Sequence, residues 1–170
     1  MSRPKSIVLH PCRGQIYFTD WVVPSGVIKR ANLAGQNVET VVGKGLVQPT
    51  GLAIDYIEGM IYYADAILEK IERCALDCKT PETLITSAIY PYSLTVFGDY
   101  IYWSDISLRG IYRAEKYTGA RLETLVTRLP SAPRALIAYS PTKQNCSGNP
   151  CDFNNGGSYN SCNHSLKMLL

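Results

Sequence analysis

The feature that most constrains this chain is a tetrad that occurs three times: Tyr17-Phe18-Thr19-Asp20, Tyr62-Tyr63-Ala64-Asp65 and Tyr102-Trp103-Ser104-Asp105, 45 and 40 residues apart. Repetition at such a period dictates stacked like units, because one unit cannot bury its apolar face alone. A proline and a short apolar run stand ahead of each tetrad. Pro4 precedes Ile7-Val8-Leu9, Pro49 precedes Gly51-Leu52-Ala53-Ile54-Asp55, and Pro91 precedes Ser93-Leu94-Thr95-Val96. A fourth proline, Pro133, precedes Ala135-Leu136-Ile137-Ala138-Tyr139. After each tetrad an Ile and an Arg alternate: Ile28/Arg30, Ile71/Arg73 and Ile111/Arg113. A last segment then recurs as Glu39-Thr40-Val41, Glu82-Thr83-Leu84 and Glu123-Thr124-Leu125.

Each unit reads as four short strands. The runs are β-branched, aromatic or alternating, and Gly, Pro, Asn and Asp separate them. No segment keeps a helical period over eleven residues. Four strands per unit of this length is the signature of a β-propeller blade, in preference to a β-solenoid or a sandwich. The fold class is therefore all-β, a partial propeller of about three blades.

The chain has 170 residues, 46% of them apolar and 18% charged, which is a globular composition. The net charge is +3, and Lys and Arg are scattered singly, so the sequence shows no polybasic run for nucleic acid or a membrane surface. The apolar runs are too short for a membrane span, and Met1–Pro11 lacks the apolar core of a signal peptide. Yet six cysteines are present, three of them between 146 and 162, a density that oxidising compartments permit. Disulfide-type chemistry without a secretion signal leads to the expectation that the chain is part of something larger.

Little points to catalysis. There is no nucleophile elbow and no phosphate-binding Gly-rich loop, and only two His occur, His10 and His164. No metal or cofactor set stands out. Cys74 and Cys78, separated by three residues, are placed for a hairpin-end disulfide, whereas Cys12 has no evident mate. The tripeptides at Asn145 and Asn163 are N-glycosylation sequons. The tetrad Asp and the later Arg suggest repeated ion pairs, Asp20–Arg30, Asp65–Arg73 and Asp105–Arg113, that brace blade against blade. Between them lie variable turns, in which an exposed Ile67 or Ile106 would mark a contact face.

The tetrads, the Pro-x-Gly-Leu-Ala-Ile-Asp strand and the Ile-x-Arg strand resemble the six-bladed Tyr-Trp-Thr-Asp propellers of the low-density lipoprotein receptor-related family. The stretch Gly98–Glu115, then Arg128–Tyr139 and the Cys-rich tail, looks most like the giant members, megalin and its relatives. The resemblance divides the chain into a partial propeller, 1–140, and a truncated EGF-like module, 141–170. In that module Cys146, Cys151 and Asn154-Asn155-Gly156-Gly157 follow the family's opening, but Ser158 stands where a third Cys belongs. The family pairing then leaves Cys151–Cys162 and orphans Cys146.

The resemblance also implies function. In related propellers the residue after each repeat proline lies on the top face, where protein ligands dock. Here that slot holds Lys5, Thr50, Tyr92 and Arg134. The implied protein is a cell-surface and endosomal receptor that binds and releases lipoproteins or other secreted proteins and recycles at low pH. A Wnt co-receptor, a nidogen-type matrix propeller, a secreted propeller enzyme with chelator-sensitive ester or lactone hydrolysis, and a degenerate gene product are the other readings. The resemblance leaves calcium binding by the parent receptor open, and the sequence has no assignable site for it. Ring closure in the family uses an innermost strand after the last full blade, here Arg134–Tyr139. The blade it should complete is absent, so the isolated chain is expected to self-associate or to need the remaining blades.

Overall fold

The computed structural model describes residues 3–22 and 24–139. The expected EGF-like module, with Cys146, Cys151, Cys162, Asn145 and Asn163, lies outside them. Twelve strands form three four-stranded antiparallel sheets in simple sequence order. Blade one is β1 (Pro4–His10), β2 (Gln15–Val22), β3 (Ser25–Asn32) and β4 (Glu39–Val42), with one 3-10 turn, Pro11–Arg13, between β1 and β2. Blade two is β5 (Pro49–Asp55), β6 (Met60–Asp65), β7 (Lys70–Ala75) and β8 (Glu82–Ile85). Blade three is β9 (Pro91–Phe97), β10 (Tyr100–Asp105), β11 (Gly110–Glu115) and β12 (Glu123–Val126).

The alternating pattern sends side chains to opposite faces of each sheet, and both faces of blade two find partners. Leu52, Ile54, Ile61 and Tyr63 pack with Tyr17, Ile28 and Val42 of blade one. Ala53, Tyr62, Ala64 and Ile71 pack with Leu94, Val96, Ile101 and Trp103 of blade three. Strand β5 is accordingly buried at every position. Close approach is needed where β5 meets β9: a Cβ on Gly51 would lie 2.8 Å from the Leu94 Cβ and 2.9 Å from its backbone N. Hydrogen bonds cross the same seam, from the Thr50 hydroxyl to the Pro91 carbonyl at 2.7 Å and from Arg73 to the Lys116 carbonyl at 3.2 Å.

Residues 134–139 continue this order. The Leu136 amide donates to the Ser93 hydroxyl at 3.0 Å, and the Ala138 amide donates to Thr95 Oγ1 at 3.3 Å. The segment thus runs beside β9 as β9 runs beside β5. Among the described residues it forms no ladder of its own.

The expected Asp–Arg pairs do not form. Cross-strand register places Arg30, Arg73 and Arg113 opposite the tetrad tyrosines Tyr17, Tyr62 and Tyr102 on one side. On the other side they face Glu39, Glu82 and Glu123. Each Arg pairs with that Glu, Arg73 and Arg113 at 2.9 and 2.8 Å. The tetrad Asp lies three residues further along its strand, about 10 Å away at the usual rise, and is engaged elsewhere.

Candidate functional site

All three tetrad Asp carboxylates sit at the end of the molecule where the repeat prolines begin their strands, and they are 0–2% exposed. Asp65 accepts from the amides of Val47 and Gln48, in the incoming loop, and from Ile67 and Leu68, in its own turn. Asp105 accepts from Tyr90 and Leu108 in the same way. Asp20 accepts from the Arg3 amide and pairs with Lys29 Nζ at 2.9 Å. In return, the amide after each Asp donates to the carbonyl before the proline: Trp21 to Arg3, Ala66 to Gln48 and Ile106 to Tyr90. A buried carboxylate is costly unless its lone pairs are met. Here backbone N–H groups meet them, so the Asp staples two loops together.

A second set of bonds ties the turns of this end to the connections between blades. Gly26 donates to Leu46, Ala88 to Glu69 and Leu129 to Arg109. The proline end is therefore a set of braced loops on a rigid stack, the usual setting for a recognition surface.

Of the four residues in the slot after proline, three are accessible. Lys5 and Arg134 are exposed and Tyr92 is half-buried. The Arg134 guanidinium lies 5.9 Å from the Tyr92 ring centroid, which brings two of the predicted residues together. Thr50 is different: it is 2% exposed and its hydroxyl is committed to Pro91, so it serves the seam between blades. Around them the turns expose Val22, Ile67, Leu68 and Leu108, with Ile89 in the next connection. The sequence leaves the direction of Ile67 and Ile106 open; Ile67 points outward at 54% exposure, whereas Ile106 is half-buried and Leu108 takes the exposed place. Arg3 stacks over Trp21 at 5.3 Å, an arrangement the sequence reading missed.

The cysteine chemistry is also in view. Cys74 and Cys78 form a disulfide at the opposite end, with Cα atoms 4.9 Å apart. Cys12, for which no mate was evident, is disulfide-bonded, and no described cysteine is free. Among the described residues no group of three or more His, Cys, Asp or Glu converges as a metal site, and no helix is long and apolar enough to cross a membrane.

The family model for low-density lipoprotein receptor repeat class B matches residues 14–56, from the turn before the first tetrad to the strand after Pro49. Human low-density lipoprotein receptor-related protein 5 is 31% identical over 163 residues, 95% of this chain and 10% of that protein. The chain carries a class B repeat. Another class B relative by sequence, the human low-density lipoprotein receptor-related protein 5-like protein, is 36% identical over 131 residues, 76% of this chain and 51% of its own. This class B chain thus spans about half, or a tenth, of the relatives it matches. Two solved structures share the fold. One is the crystal structure of a nidogen/laminin complex, with a TM-score of 0.68 at 22% identity over 78% of this chain and 50% of that one. The other is a luciferin-regenerating enzyme, with a TM-score of 0.64 at 14% identity over 76% and 48%.

Proposed function

We propose that this class B chain is the interaction part of an extracellular receptor propeller, and that it binds a protein ligand at its proline end. The observation that carries this reading is the braced loop surface on which Arg134 and Tyr92 meet, with Lys5 exposed at the same end of blade one. Aromatic and Arg side chains are the residue types on which protein interfaces concentrate binding energy. The parent is a cell-surface receptor of the lipoprotein-receptor type. Its ligands are lipoproteins or other secreted proteins, taken up and released in endosomes while neighbouring modules recycle the receptor. The remaining blades of the parent ring are its other partners. The mechanism is binding and not chemistry: the relatives by sequence are receptor-related proteins, and the enzyme likeness at 14% identity concerns the fold alone.

A second reading, extracellular assembly or Wnt co-reception without uptake, draws on the likeness to the nidogen propeller, which was solved as a complex with laminin. A photo-crosslinking amino acid at position 134, with a control at Lys79 on the opposite end, tests the shared core of both readings. Secreted proteins in conditioned medium are expected to crosslink at 134 and not at 79, and unlabelled chain should compete. Equal labelling at both ends overturns the reading. So does chelator-sensitive hydrolysis of an ester or lactone by the purified chain.

A further inference from the structure

The fold gathers charges that the sequence scatters. Among the described residues, six exposed cations stand at the proline end: Arg3, Lys5, Lys44, Arg109, Arg128 and Arg134. The one exposed acid among the described residues of the connections there is Glu69. The other acids of this end are turned inward and committed: Asp20, Asp65 and Asp105 to backbone amides and Lys29, and Glu72 to Lys70 and Thr83. The opposite end is balanced, with Arg13, Lys79 and Arg121 exposed against Glu58, Asp77 and Asp99. A net charge of only +3 thus conceals a strongly one-sided molecule.

The cations lie on four segments: Arg3 and Lys5 at the start of β1, Lys44 before β5, Arg109 in the turn after β10, and Arg128 and Arg134 after β12. Val22, Ile67, Leu68, Ile89 and Leu108 are each at least 40% exposed on the same end. Two of the cations sit at turn positions with left-handed backbone, Arg109 at φ 48° and Arg128 at φ 55°, conformations that glycine adopts most easily. Both are held where they are by the Leu129 to Arg109 backbone bond, which joins their two loops.

We propose that the proline end docks an acidic protein segment that carries apolar side chains. The charge asymmetry selects for carboxylates and steers their approach. The exposed apolar residues give the partner's aliphatic or aromatic side chains a place to bury, which a sulfated polysaccharide does not use. The inference rests on the reading of this end as a protein-docking face and adds the chemistry of the partner.

The test is fluorescence anisotropy on the full chain with three probes: a labelled twelve-residue peptide rich in Glu and Leu, the same peptide with Gln for Glu, and heparin. The Glu/Leu peptide is expected to bind, to weaken as salt rises through the range where the screening length is about 8 Å, and to outcompete the Gln version. The charge-reversing pair Arg109→Glu and Arg134→Glu should weaken it by about tenfold or more. Lys79→Glu and Arg13→Glu at the other end should leave it unchanged. Arg109→Gly removes a cation while relieving the left-handed turn, so it should weaken binding without lowering thermal stability. Equal binding of the Glu and Gln peptides overturns the proposal, and so does heparin binding that exceeds peptide binding and alone responds to these variants. Crosslinks at position 134 with no preference for acidic peptides sink this inference and leave the docking face standing. Absence of both removes the docking face as well.

Discussion

Asp65 accepts from four different backbone amides in two loops while fully buried. Asp65→Ala strands those donors, and urea unfolding should report a loss on the order of 3–5 kcal/mol. Glu82→Ala is the contrasting case. Its ion pair with Arg73 is more than half exposed on the Glu side, so the same measurement should show less than about 1 kcal/mol. The tetrad and the recurring Arg were both legible in the sequence, but their partnership was not. Spacing along a chain does not give cross-strand register, and register sets Arg73 against Glu82 and leaves Asp65 to the loops. The recurrence of Glu nine or ten residues after each Arg was the available signal. The sequence assigns His10 no role, and the structure gives it one that depends on pH. It is buried edge-on against Tyr56, and burial, with Arg13 nearby, holds its imidazole below the ordinary value of 6.5 despite an opposing backbone hydrogen bond. A depressed imidazole favours the fold above its unfolded value, and that contribution is lost as pH falls below 6.5 through the folded value. The melting temperature should therefore drop over that window, and His10→Phe should flatten the drop.

Strands and turns were the most readable scale, because proline, tetrad, Ile-x-Arg and Glu-Thr each fall inside a strand of every blade. What the pattern could not reveal was where strands press together. Gly51 is such a place: its added Cβ would meet Leu94 and the Tyr92 carbonyl at 2.8–3.1 Å. Gly51→Ala forces β5 from β9, and denaturation should register a cost of about 1–3 kcal/mol. Burial at Thr50 follows from the same closeness, which is why one of four residues in the slot after proline braces the seam and three remain accessible.

Among the described residues, blade two is covered on both sides and its neighbours on one. On the outer face of blade one Ile7 is 65% and Leu9 50% exposed, opposite Phe18 and Ile16 across the strands. These occupy the places that Leu52, Ile54, Tyr63 and Ile61 hold in blade two, where all four are buried against blade one. Beyond blade three, Ile137 and Val126 are 48% and 39% exposed. Exposed β faces of this kind associate. The ring order was readable from the repeats, whereas the one-sided charge was not, since it arises only when loops distant in sequence meet at one end. Sedimentation velocity of the 170-residue chain over a hundredfold concentration range, paired with a urea melt at the lowest concentration, tests the stacked-blade account most directly. The account predicts concentration-dependent association and a broad, early melt of the dilute species. A dilute monomer that melts in one sharp two-state transition would contradict it.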